Sequence, residues 1–299
     1  MAVDTTDTTS GSASRGAPAL LRRLFRLWAL YARMDLIWIT RDLKMCLLWV
    51  VSDAVMGVAT VTGIWLLSER FHGIGAWNRL QIVFLLGYAA TVGALIDMFF
   101  NYNVAFISRR LGRGQFDHTL IQPQPIWLAL LTEGFAPFSA CLLFFPGIGL
   151  MAWAVHALAL PVTPLLLLQL LLYLPSSVTV MLSFQFLWGS LAFWAPRSAE
   201  EISTSTARLM DQLKSYPLDG LTAVNSLLAG SLLTVLPVGF LAWYPCRCLL
   251  GLVSGTTAMV LTPLMALLFA TLATFVFRQG LRHYGKVGSQ RYSDRGHRG

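Results

Sequence analysis

Lysine is nearly missing from this chain: its 299 residues hold three, Lys44, Lys214 and Lys286. A loop that cradles nucleotide phosphates needs Gly-Lys followed by Ser or Thr. Lys44 precedes Met45, Lys286 precedes Val287, and Lys214 precedes Ser215 but follows Leu213, so none fits. The polypeptide is therefore expected not to hydrolyse ATP itself. Charge of either sign is thin as well, at 12% of residues, against ~25% in a soluble domain. The four cysteines, Cys46, Cys141, Cys246 and Cys248, form no CxxC pair. The five histidines, His72, His118, His156, His283 and His297, are scattered. Neither a metal site nor a disulfide framework is indicated. No GxSxG elbow and no HExxH helix occurs. No catalytic residue is assigned, and an enzyme is not expected.

Apolar residues fill the space that charge leaves. They make up 56% of the chain, with a mean hydropathy of +0.63. Runs near the ~20 residues needed to cross a bilayer recur along it, which marks an integral membrane protein. The net charge of +8 does not point to nucleic acid, because the basic residues flank apolar spans instead of forming one soluble patch. Residues 1–18 are rich in Ser, Thr, Gly and Asp and are expected to be a disordered cytoplasmic tail. They lack the apolar core of a signal peptide.

From Ala19 the pattern becomes helical. Leu20, Leu24, Leu27, Trp28 and Tyr31 recur on one side, with Arg22, Arg26 and Arg33 opposite. Residues 19–45 thus read as a basic amphipathic helix in the headgroup layer, with membrane lipid as its partner. The six-helix transmembrane domain follows over 46–280, with spans at about 46–68, 80–106, 127–155, 162–194, 221–243 and 258–277. The fold class is all-α and polytopic. Residues 281–299 are read as a basic cytoplasmic tail. Lys and Arg number nineteen on one side of these spans and three on the other, Arg70, Arg79 and Arg247. That bias places both termini in the cytoplasm.

Between the second and third spans lies a polar island, SRRLGRGQFDHTLIQPQP, over 108–125. Gly112 and Gly114 interrupt Arg109, Arg110 and Arg113, and Pro123 and Pro125 close it. Gly and Pro oppose an unbroken helix, and clustered arginines stay on the cytoplasmic side. A short, stiff cytoplasmic elbow over 107–126 is expected. The loop 195–219 reads as a cytoplasmic amphipathic helix, with Ala199, Ile202, Thr206, Leu209, Leu213 and Tyr216 on one stripe. Arg197–Glu201 and Asp211–Lys214 are the ion pairs its spacing allows.

Three carboxylates lie inside or at the edge of spans: Asp53, Asp97 and Glu133. At 1.5 Å per residue Asp53 and Asp97 sit roughly 10–14 Å from the cytoplasmic end. They either line a water-reached acidic path for substrate, or hydrogen-bond locally and reach the elbow arginines. The second reading weighs more, because each is close to that interface. An ion-gradient-driven secondary transporter using Asp53 and Asp97 is the alternative function, although the two halves show no inverted repeat.

The elbow and the last third of the chain resemble a known family. GQFDHTLIQP, with Gly114, Asp117, Leu120 and Pro123, is similar to the G-x-h-D-x-x-L-h-x-P signature of six-span ABC-2-type exporter permeases. SLAFW (190–194), YPLDGL (216–221), TVLPVGFLAWYP (234–245) and FRQGLRHYGKVG (277–288) resemble the segments around the family's last three spans, in order. Cys246–Arg247–Cys248 departs from the family's small residues. The resemblance implies a permease working as a dimer, with a second copy or a paralogous permease. Separate ABC ATPase subunits would bind ATP and Mg. Arg109, Arg110, Arg113, Gly114, Asp117 and Pro123 would couple to them. The segment 244–257 would be a re-entrant piece closing the exit. A bacterial inner membrane is the implied location.

Overall fold

The computed structural model describes residues 17–70, 77–100, 107–122, 124–219, 230–231, 235–253 and 255–288. Among them the chain is all-helical. Helix α1 (Ala17–Arg41) runs into α2 (Leu43–Arg70) across Asp42, whose carboxylate accepts the N–H of Met45 at 3.3 Å. That bond meets one of the donors every helix start leaves open, so the first span begins three residues earlier than its apolar run suggests. Then come α3 (Arg79–Phe100), α4 (Ile107–Gly112), α5 (Phe116–Leu120) and α6 (Ile126–Thr132). The chain continues with α7 (Pro137–Ala157), α8 (Pro164–Ser190), α9 (Pro196–Leu213), α10 (Trp243–Leu249) and α11 (Thr256–Val287).

Among the described residues four helices are long and apolar enough to cross a membrane: α2, α3, α8 and α11. The third expected span is broken. Its parts Ile126–Ser139 and Phe144–Ala157 meet at 73°. Pro146 lacks the N–H that the carbonyl of residue 142 would accept, and that carbonyl lies at the bend. Most of the expected fifth span, 221–243, lies outside the described residues. Its described end is not a straight helix: Pro237–Phe240 forms a 3-10 turn and Trp243 opens α10. The expected sixth span is longer than the bilayer needs. It runs on as one helix to Val287, through residues that composition alone assigns to the tail.

Small residues decide how the spans meet. Gly87 on α3 faces Gly147 on α7, and a Cβ on Gly87 would lie 2.8 Å from the Gly147 carbonyl. A Cβ on Gly147 would lie 2.7 Å from Thr91 Oγ1. Two backbones this close gain dispersion contacts in a solvent that supplies no hydrophobic drive between helices. A buried polar chain crosses the same core. The Ser177 hydroxyl donates to the Phe240 carbonyl at 3.1 Å, and Tyr88 in turn donates to Ser177 at 3.0 Å. It ties α8 and α3 to the 3-10 turn.

α1 is pinned to the bundle. Trp28 stacks on Phe135 with centroids 5.4 Å apart. Asp35 accepts the N–H groups of Phe138 and Ser139 at 2.8 and 3.1 Å, capping α7 from another helix. Phe25, which meets Trp28 edge to face at 5.8 Å, and Met34 and Trp38 stay exposed.

Candidate functional site

The elbow folds as two short helices around one obligatory glycine. Gln115 donates to the Arg110 carbonyl at 2.9 Å and Gly114 to the Leu111 carbonyl at 3.1 Å. This paired closure ends a helix with its next residue in the left-handed region, and Gly114 has φ 70°. The glycine of the GQFD motif is there because any side chain would strain that cap. Pro125, in extended backbone, then starts α6. Pro123 lies outside the described residues.

Its inward side is apolar. Ile107, Leu111 and Phe116 are at most 1% exposed and pack on Leu130, Phe193 and Tyr284. Phe116, Phe193 and Tyr284 meet edge to face, with centroids 5.6–5.8 Å apart. Gly189 admits Ile107, since a Cβ there would lie 2.3 Å from its Cγ2, and Gly280 admits Phe193 likewise. This small core joins the elbow to the end of α8, the start of α9 and the distal part of α11.

Polar bonds clamp the edges. Arg110 pairs with Glu133 at 2.8 Å, and Gln122 donates to the same carboxylate at 3.3 Å. Arg109 Nε reaches Glu200 on α9 at 3.0 Å. Tyr284 on α11 donates its hydroxyl to Asp117. Tyr31 of α1 borders the first clamp. Burial above all, and the Glu133 carboxylate, push its hydroxyl above the ordinary tyrosine range, while Arg110 opposes them. What remains outward is Arg113, Gln115, His118, Leu120 and Ile121, the last 79% exposed.

The elbow arginines therefore divide by role. Arg109 and Arg110 hold the elbow to its own protein, whereas Arg113 has no ion pair among the described residues. Of the three carboxylates, Glu133 reaches the elbow as expected of a locally satisfied acid. The Asp53 side chain lies outside the described residues. Asp97 lines a cavity of about 410 Å³ between α3, α8 and α9, with Arg109 of the elbow in its wall. Arg109, Gln185, Arg208 and Asp211 share its walls, so it carries both signs of charge. Gln185 is 6% exposed and its Oε1 has no hydrogen-bond partner. A second cavity of about 450 Å³, outside the first, shares Arg109 and Thr204 with it.

α9 turns differently from its apolar pattern. Of the expected stripe, Ala199 is buried but Ile202, Leu209 and Tyr216 stay 41–42% exposed, whereas Ser203 and Met210, off the stripe, are buried. The Asp211–Lys214 pair forms, but Glu200 instead of Glu201 is the acid of α9 that finds an arginine. Lys214 is only 9% exposed, and its ammonium lies against Gly93, where a Cβ would be 2.6 Å from Nζ. Glu200, Gln185 and Tyr284 are site residues that sequence reasoning missed. Only Tyr284 had a signal, its place in the FRQGLRHYGKVG segment.

No curated protein and no solved structure is similar enough to match this chain. A family model described as ABC-2 family transporter protein matches residues 54–288, which take in the elbow, both cavities, α10 and α11. The chain is a multi-pass membrane protein and transport permease belonging to the ABC-2 transporter family.

Proposed function

We propose that the chain is the permease subunit of an ATP-driven exporter, docking a separate ABC ATPase through the outward face of the elbow. The observation that carries this reading is the elbow's build. It is a preformed body, clamped to α6, α9 and α11 by Arg110–Glu133, Arg109–Glu200 and Asp117–Tyr284. A push on such a body moves three helices together, which a tolerant loop would not do. Arg113 supplies charge for an acidic groove, and Leu120 and Ile121 supply an apolar anchor. ATP and Mg are bound by the partner, which the lysine contexts of this chain support.

The cytoplasmic cavity with Asp97 and Gln185 is the start of the substrate path in this reading. Its walls of mixed charge suit a polar solute. A second permease, identical or paralogous, completes the assembly in a bacterial inner membrane. Co-expression with a separate ABC ATPase tests the proposal. Co-purification and vesicle ATP hydrolysis that needs both chains are the expected results. Hydrolysis by the ATPase that ignores the permease, or nucleotide binding by the isolated permease, would refute it.

A further inference from the structure

Asp219 follows the end of α9 by six residues, yet it meets segments from elsewhere in the chain. Its Oδ2 accepts the indole N–H of Trp77, just before α3, and that of Trp243 on α10 at 2.7 Å. Its Oδ1 lies 3.5 Å from Arg247 Nη1, and the Arg247 guanidinium stacks over the Trp243 ring at 4.9 Å. The two indoles are 2% and 4% exposed, and the carboxylate 16%. Hydrogen bonds from two indoles onto one carboxylate, with a guanidinium ion pair at 3.5 Å beside them, make a directional junction in a largely buried site.

Its position gives the junction a consequence. The charge count puts Trp77 and Arg247 on the face opposite the elbow. Asp219, however, is continuous with α9, which holds the elbow through Glu200. Between them, Lys214 is seated against α3 at Gly93 and Leu218 is 1% exposed. The strap 214–219 is thus held at Lys214, Pro217 and Leu218 while Tyr216 stays exposed, and it joins α9 at one end to α10 at the other.

We propose that Asp219 is the positioning residue through which movement of the elbow reaches α10 and the 3-10 turn on the opposite face. This rests on the ATP-driven reading above. The junction stays closed when α9 is at rest. When docking of the ATPase displaces the elbow, the strap withdraws Asp219 from the indoles and frees α10 to open.

Cys246 and Cys248, 0% and 7% exposed on α10, are native reporters. With Cys46 and Cys141 changed to Ser, the permease–ATPase complex in vesicles is labelled by a membrane-impermeant thiol reagent, nucleotide-free and vanadate-trapped. The unmodified junction should label slowly at rest and faster when trapped. Asp219→Asn keeps the shape and an acceptor but loses the charge opposite Arg247. It should label about tenfold faster at rest, the loss of ~1.4 kcal/mol from a local opening equilibrium. Trapping should add nothing more, and ATP hydrolysis should stay within about twofold of the parent, since the motor is intact. Trp77→Phe, which removes one donor and keeps the ring packing, should shift labelling the same way by less. Nucleotide-dependent labelling in Asp219→Asn equal to the parent's would overturn the proposal. So would loss of both the complex and hydrolysis in the two variants, because the junction would then serve folding alone. A parent complex that hydrolyses ATP without any labelling change sinks the gate but not the docking. A parent without permease-dependent hydrolysis sinks the underlying reading and this one with it.

Discussion

Arg110 and Arg113 are three residues apart on one elbow, yet they should fail in different assays when changed. Arg110 and Glu133 lie 2.8 Å apart with side chains 24% and 14% exposed. At an effective dielectric near 20 the gross attraction is about 6 kcal/mol, most of which desolvation of both groups offsets. Removing one partner of a buried pair costs about 3–5 kcal/mol. The residual exposure and the Gln122 bond to Glu133 place Arg110→Ala at the low end, ~2–3 kcal/mol. For a domain of this size that lowers Tm by about 4–12 °C in detergent, followed by tryptophan fluorescence. Arg113 is exposed, so Arg113→Glu should leave stability within ~0.5 kcal/mol. Its effect belongs to docking. A charge reversal at an interface rim should weaken ATPase binding by about 5–30-fold, ~1–2 kcal/mol, and the defect should shrink at high salt. Immobilised permease titrated with ATPase at two salt concentrations measures it. An Arg113→Glu protein that binds the ATPase normally, or an Arg110→Ala protein with unchanged Tm, would refute the division of roles.

Gly147→Leu should prevent α3 and α7 from closing, because even its Cβ meets Thr91 Oγ1 at 2.7 Å. Gly149→Leu meets nothing within 4 Å and serves as the control; gel filtration in detergent separates the two outcomes. Asp35→Ala removes both bonds to the start of α7, and thermal melts should show a loss of about 1 kcal/mol. Tyr284→Phe keeps the ring contacts but leaves Asp117 without that donor. About 1–2 kcal/mol should be lost, together with part of the permease-dependent ATP hydrolysis in vesicles. Asp97→Asn should spare ATPase binding, whereas a gradient-driven carrier would lose all transport and keep it in elbow variants.

Composition and local pattern already carried much of this molecule. Apolar runs against a charge content of 12% specify membrane helices, because lipid forces every backbone group to pair within its own segment. Gly112, Gly114 and the prolines specify a bent elbow, because backbone geometry is a local property. Partners are not local. Periodicity marked the apolar side of α9 but could not say whether protein or lipid covers it. In a membrane protein an apolar stripe has either choice, and here Ile202 and Leu209 stay uncovered while Ser203 is buried. That rotation brings Glu200 instead of Glu201 to Arg109. The broken third span is a tertiary outcome too. Pro146 permits a bend, but the start of α7 is held by other segments: Asp35 accepts the N–H groups of Phe138 and Ser139, and the Met98 carbonyl accepts that of Ala136 at 2.8 Å. Asp219 shows the limit most plainly. Nothing in YPLDGL separates it from a loop aspartate until Trp77, Trp243 and Arg247 converge on it, because a convergence of distant segments has no signature in any one of them.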